Sequence, residues 1–239
     1  MTLRRRSFLL GTGLTAFGLT GESLSASSVA ALETPRSCRP DDPLKALRDG
    51  NRRFAAAWQS KNTATTREER AQVMANMWLD HCFLPSSVLD DGQAPWATIL
   101  TCADSRVSPE WVFDAAPADL FVIRSAGNTA FDEAIASIEY SVAVLKTPLI
   151  MVMGHSSCGA VGAAQGNESV TPLLDRLVEP IRASIHPNDN LESAIKKNAS
   201  SAAQKLRERS ELIAHALAEG KLRIVVSYFN INDGSVSLI

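Results

Sequence analysis

The sequence predicts an α/β domain built on a central, mostly parallel β-sheet flanked by helices, and three observations carry that prediction. Short apolar runs of strand length, at 96–101, 120–123 and 148–153, alternate with stretches of helical period. The run Pro148-Leu149-Ile150-Met151-Val152-Met153 is apolar throughout, as a strand covered on both faces must be. Reactive polar residues follow directly where two of these runs end, the usual place for function in such folds. At 239 residues and 45% hydrophobic content, with no internal repeat, the chain has material for one well-packed core.

The first 41 residues stand apart. Arg4-Arg5-Arg6-Ser7-Phe8-Leu9-Leu10 leads into a short apolar stretch rich in Gly and Thr, then into small residues at Ser28-Val29-Ala30. This is the pattern of a twin-arginine signal peptide over 1–30, with a linker over 31–41 and the domain over 42–239. The apolar stretch is shorter than the roughly 20 residues a membrane span needs. Pro35 and Arg36 spoil a lipid-attachment motif before Cys38, so no stable membrane anchor is expected. Export of a folded protein suits a metalloprotein loaded beforehand, and the expected location is the bacterial periplasm, which is oxidising. Cys38 and Cys82 would there either form a disulfide or leave Cys82 as a free buried thiol. A net charge of -2 gives no basic surface for nucleic acid.

Along the domain, Asp41-Asp42-Pro43 caps a helix carrying Leu44, Leu47, Phe54 and Trp58. Thr65-Thr66-Arg67-Glu68-Glu69 has the form of a capping box and opens a second helix with Val73, Met77 and Trp78. The neighbours His81 and Cys82 point in different directions on a helix and read as packing rather than metal ligands. After a turn at Asp90-Asp91-Gly92, the strand 96–101 delivers Cys102, and the strand 120–123 ends in Arg124-Ser125-Ala126-Gly127-Asn128. A helix over 132–146 buries Ile135, Ile138 and Val142, and the strand 148–153 leads into Gly154-His155. Helices over 172–185 and 191–218 follow. Strands over 223–229 and 235–238, joined by Asn232-Asp233-Gly234, close the domain.

Two segments carry the chemistry, Cys102-Ala-Asp104-Ser-Arg106 and His155-Ser-Ser-Cys158. In extended chain, Cys102, Asp104 and Arg106 share a side. His155 is expected at a strand's carboxyl end and Cys158 in the first turn of the next helix, whose dipole favours a thiolate. Gly154 and Gly159 would permit close backbone approach. Two thiols and an imidazole are ligands for zinc, and three such ligands leave a fourth position open. Asp104 fills that position in a resting state or, gripped by Arg106 through paired hydrogen bonds, leaves it to water. Two thiolates nearly cancel the ion's charge and should acidify its water less than three imidazoles would, so a hydrogen bond from that water to Asp104 would matter.

These paired motifs resemble those of the β-class carbonic anhydrases, and the likeness runs from about residue 42 to the end. The resemblance implies a β-carbonic anhydrase fold and one zinc per subunit on Cys102, His155 and Cys158, with Asp104 and Arg106 as the catalytic pair. It implies reversible hydration of carbon dioxide, in which hydroxide on zinc attacks, water displaces bicarbonate and a proton leaves to buffer. It also implies a homodimer or a higher even-numbered assembly with the sites at the subunit contact. Gln93, Phe121 and Tyr140 match pocket positions of the plant-like branch, and Gly159 joins them as a residue lining the substrate space. Ala126 stands where that branch often has a larger apolar residue. Ile99 stands where a bicarbonate-regulated branch has Trp, so that regulatory site is not expected.

Three rival readings have less support. Gly154-His155-Ser156-Ser157-Cys158 resembles a serine-hydrolase elbow but has Cys where glycine is needed. A carbonyl sulfide or carbon disulfide hydrolase could use the same zinc ligands. A purely structural zinc protein would have no use for the Asp104-Arg106 pair.

Overall fold

A computed structural model describes residues 38–75, 77, 82, 84–166 and 171–239. The expected signal peptide and most of the expected linker lie outside the described residues, as do Trp78 and His81. Helix α1 (Pro43–Thr63) begins at the expected cap, where the Asp42 side chain accepts from the Lys45 amide and Pro43 occupies the first turn. Its buried face comprises Leu44, Leu47, Gly50, Asn51 and Phe54. Helix α2 (Arg67–Ala75) forms on its capping box: Thr66 Oγ1 accepts from the Glu69 amide while Glu69 Oε2 accepts from the Thr66 amide. It ends earlier than the apolar spacing suggests, and Met77 is buried just beyond it.

The short helix α3 (Ser86–Asp91) replaces part of the expected turn. Strand β1 (Ala97–Cys102) is buried at every residue. Helix α4 (Pro109–Val112) and strand β2 (Leu120–Ser125) follow, then α5 (Asp132–Ala143) and β3 (Leu149–His155), which is also buried throughout. After α6 (Gly159–Gln165) and α7 (Pro172–Arg182) come α8 (Leu191–Arg209) and α9 (Glu211–Ala218). The sheet is completed by β4 (Arg223–Phe229) and β5 (Val236–Leu238).

The single helix expected over 191–218 is thus two. Ser210 takes an extended backbone at φ -126°, and its side chain accepts from the Ile213 amide, so it ends α8 and caps α9. A hydroxyl that caps well is a helix boundary that apolar periodicity alone does not reveal. Likewise α5 stops three residues short of the expected end, ahead of Lys146 at φ 58°.

The strand order is β2-β1-β3-β4-β5, parallel except for β5. Chain direction across the sheet reverses between β1 and β3, and in open α/β sheets the crevice beyond the strand ends at such a point holds the ligand. The register places Cys102 opposite Ser125 and His155 opposite Phe229, so both reactive residues end their strands at the same edge. One apolar cluster joins α1 to one face of the sheet through Leu47, Phe54, Ile99, Met151 and Phe229. A second covers the other face with α5, α8 and α9, through Ile138, Ala202, Leu206 and Ile213. A third, with Val161, Val178, Ile181 and Ile195, surrounds Cys102 and Cys158.

Cys38 and Cys82 form a disulfide with a Cα separation of 5.6 Å, and Cys82 is exposed rather than buried. Next to it, the Arg39 guanidinium donates to the carbonyls of Ala94, Leu145 and Lys146 at 3.0, 2.6 and 3.0 Å. Among the described residues no helix is long and apolar enough to cross a membrane.

Candidate metal centre

The ends of β1 and β3 bring Cys102 and His155 together, and the turn after β3 returns Cys158 to them. Sγ of Cys102, Sγ of Cys158 and a ring nitrogen of His155 all lie within 4.8 Å of one another, and all three residues are buried. Cys158 is the N-cap of α6 rather than a residue of its first turn. To return the chain, Ser157 adopts φ 55°, a left-handed backbone that costs a non-glycine residue about 1 kcal/mol or more.

Gly154 meets its expectation, because a Cβ there would lie 2.8 Å from Cγ2 of Ile195 on α8. Gly159 does not: a Cβ there meets nothing within 4 Å. Its exposed backbone instead borders the open space beside Cys158.

The state of the imidazole follows from its contacts. Nδ1 lies 3.0 Å from the Ser156 carbonyl oxygen, which can only accept, so Nδ1 carries the proton. Nε2 is then a bare lone pair, fully buried and without a hydrogen-bond partner. An orphaned nitrogen beside two sulfurs 4.0 Å apart is costly in a folded protein, and a metal ion would satisfy it. The residues therefore fit a metal ion of thiolate and imidazole preference.

The thiols share one proton unevenly. Cys102 is held well below the usual thiol range, chiefly because the Cys158 thiol donates to it, with the amides of Gly127 and Asp104 adding to this against burial. Cys158 is pushed far up by the same hydrogen bond and by burial. A divalent ion between them would displace that proton and leave two thiolates.

Asp104 lies at the rim. Arg106 Nε donates to its Oδ1 at 2.9 Å and Arg106 Nη2 to its Oδ2 at 2.6 Å, and the Arg106 amide adds a bond to Oδ1 at 3.0 Å. This grip holds the Asp104 carboxyl well below the usual carboxylate range, so it is ionised at neutral pH. Oδ2 lies 3.9 Å from His155 Nε2, near the centre while still paired with arginine. Arg106 Nη2 also donates to the Ser157 carbonyl at 3.1 Å, which ties the first motif to the second.

Two supports escape the sequence reading. Arg124 donates through Nε to the Cys102 carbonyl at 3.2 Å and through Nη2 to the Asp104 carbonyl at 2.7 Å, pinning the segment between them. The Gly127 amide donates to Cys102 Sγ at 3.2 Å. Arg124 lies near the end of β2 and Gly127 just past it, so only parallel pairing of β1 with β2 brings them to the cysteine.

The pocket residues fall elsewhere. Phe121 pairs with Thr98, four residues from the strand end, or about 13 Å along the sheet from Cys102. Tyr140 is 47% exposed on α5 with its ring 6.2 Å from that of Phe121, and Gln93 is exposed ahead of β1. None of the three reaches the centre of its own chain. Ala126 begins the turn that holds Gly127, and Ile99 is buried within β1.

Comparison with known proteins gives a consistent result. Residues 97–236 match the family model described as carbonic anhydrase. The chain is 35% identical over 206 residues to a carbonic anhydrase of Mycolicibacterium smegmatis, covering 81% of this chain and 90% of the relative. It is 34% identical over the same length to carbonic anhydrase 2 of Mycobacterium tuberculosis. Among solved structures, a tetrameric β-carbonic anhydrase of Sordaria macrospora superposes with a TM-score of 0.58 at 28% identity, covering 64% of this chain and 85% of that one. The Coccomyxa β-carbonic anhydrase complexed with acetazolamide gives 0.58 at 26% identity, covering 64% and 75%.

Proposed function

The chain belongs to the β-carbonic anhydrase family, and from that premise we propose that Cys102, His155 and Cys158 hold zinc and that Asp104 and Arg106 run reversible hydration of carbon dioxide beside it. One observation carries the reading: two sulfurs and an orphaned imidazole nitrogen converge under a carboxylate already paired with arginine. Zinc, when bound, would supply the Lewis acidity that makes water a nucleophile near neutral pH.

The chain's own residues do the rest. Cys102 and Cys158 anchor the ion as thiolates, and the Ser156 carbonyl fixes the His155 tautomer so that Nε2 faces inward. Arg106 keeps both Asp104 oxygens engaged and so presents a permanent acceptor at the rim. That acceptor would take a hydrogen bond from a water beside the centre and orient it toward carbon dioxide. The proton then leaves through the exposed side of Arg106 and Ala103 to buffer.

Gln93, Phe121 and Tyr140 serve this reading through a second subunit. Phe121 lies on the outer strand, Tyr140 on α5 and Gln93 ahead of β1, and a homodimer or higher even-numbered assembly would place them against a partner's centre. The unpaired β2 edge and the exposed Tyr140 and Val144 support such a contact. The disulfide supports an oxidising compartment, and with the twin-arginine pattern it supports export to the periplasm.

Stopped-flow hydration of carbon dioxide by the purified, zinc-loaded protein tests the reading. Turnover is expected between about pH 7 and 9, where such a water ionises. Inertness across that range would sink it. Turnover of carbonyl sulfide or carbon disulfide without hydration of carbon dioxide would move the assignment to the hydrolase.

A further inference from the structure

Gly127 sits in the turn Ala126–Asn128 that connects β2 to α5, at φ 70°, where L side chains are strained. Its amide reaches Cys102 Sγ at 3.2 Å, and its carbonyl accepts from Asn198 Nδ2 at 2.7 Å. Both peptide groups flanking one α-carbon are therefore held. The third side is closed by packing, since a Cβ at 127 would lie 2.5 Å from Ile181 Cδ1 and 3.2 Å from Ala160 Cβ.

Asn198 is the only polar side chain among the buried residues of α8, whose other buried positions are Ala, Ile and Leu. Its Oδ1 lies 3.5 Å from Ser184 Oγ, at the edge of hydrogen bonding, so the contact with Gly127 is the strong one. A buried carboxamide costs free energy unless its bonds are used, and this one is spent on a turn whose other end touches a sulfur. Packing alone would be served as well by leucine.

We infer that Asn198 is a positioning residue for the metal centre, holding the Gly127 amide on Cys102 Sγ so that this sulfur gives less electron density to a bound ion. The inference rests on the reading that Cys102, His155 and Cys158 hold a metal. Its consequence addresses the weakness of a two-thiolate centre. An N–H group that shares the charge of one sulfur leaves the ion more electrophilic, and so restores part of the acidity that two thiolates remove.

Cobalt(II) loaded in place of zinc tests this without any turnover measurement, because sulfur-to-cobalt charge transfer absorbs in the near ultraviolet and reports sulfur electron density. Asn198→Leu should move that band to longer wavelength relative to the unaltered protein, and Asn198→His, which keeps a ring N–H at the same place, should return it. A protein that takes up cobalt with no such band would refute the metal reading itself. A normal band that stays in place in folded, loaded Asn198→Leu, or a shift that Asn198→His does not reverse, would overturn the positioning role. If Asn198→Leu does not fold, Asn198→Ser replaces it, read by cadmium NMR. The coupling between the metal and the Gly127 amide proton across Sγ in the unaltered chain should weaken or vanish in Asn198→Ser, and an unchanged coupling, or none in the unaltered chain, overturns the role.

Discussion

Arg106 shows how much one side chain can organise. Its guanidinium holds Asp104 at two oxygens and the Ser157 carbonyl at a third atom, so it sets both the carboxylate at the rim and the strained turn leading to Cys158. The pair is exposed on the arginine side, so its contribution to stability is small. Its worth is positional. Arg106→Ala should therefore leave the fold and metal content unchanged while hydration falls by about 10²-fold or more, the usual loss when a positioned proton acceptor is freed. Metal analysis alongside stopped-flow rates checks this, and loss of metal would make Arg106 a structural residue instead. Cys102, His155 and Cys158 differ in kind, because each is buried and would hold the ion rather than steer water.

At the scale of elements, α1 docks through polar as well as apolar contacts. Asn51, buried in the helix, donates to the carbonyls of Val112 and Gly234 at 3.0 and 2.9 Å and accepts from the Val236 amide at 2.8 Å. Both of its donors and its oxygen go to joining α1 with the end of α4 and with the turn and strand that close the sheet. The helix approaches so closely that a Cβ at Gly50 would lie 1.8 Å from the Phe113 carbonyl oxygen. Alanine raises helix propensity by about 1 kcal/mol over glycine, but backbone cannot yield as a side chain does. The clash wins, and Gly50→Ala should destabilise the protein by about 1–3 kcal/mol or more in chemical denaturation. A neutral or stabilising result would mean that α1 docks more loosely than this. The break at Ser210 is the other decision at this scale, since it turns α9 away from α8 and lets Ile213 enter the core under β4.

For the whole molecule, the disulfide and the twin-arginine pattern point the same way. The Cys38–Cys82 bridge closes a loop of 44 residues around α1 and α2. Loop entropy then gives it a ceiling of about 4 kcal/mol. Cys82→Ser, or reduction of the unaltered protein, should lower unfolding stability by up to that amount with little effect on metal content. Thermal or urea unfolding with and without reductant measures it, and equal stability in both would remove the bridge from the argument for an oxidising compartment. Independently, Arg5→Lys with Arg6→Lys should leave the protein in the cytoplasm of an expressing bacterium. Unchanged appearance in the periplasm would refute the twin-arginine reading. The molecule as a whole places Cys102, His155 and Cys158 at the carboxyl edge of the sheet and Phe121, with Tyr140 beside it, toward the other end.

What the sequence determined by itself was local or periodic. Apolar runs announced the strands, capping residues announced α1 and α2, and two short motifs named the three side chains that converge, together with the Asp104-Arg106 pair, because spacing along the chain carries that information. What only the tertiary structure decided were matters of residues distant in sequence. Parallel pairing of β2 with β1 places Arg124 and Gly127 against Cys102. Packing of α8 brings Asn198 to the same turn, and the folding of the N-terminal segment joins Cys38 to Cys82. Gln93, Phe121 and Tyr140 were read from a resemblance, which carries no distance; the register sets Phe121 four residues from the Cys102 end of the sheet, and Tyr140 lies beside it. Each of these depends on which strand neighbours which and where a helix lies on the sheet, and those are set by the burial of whole faces, to which no single stretch of sequence refers.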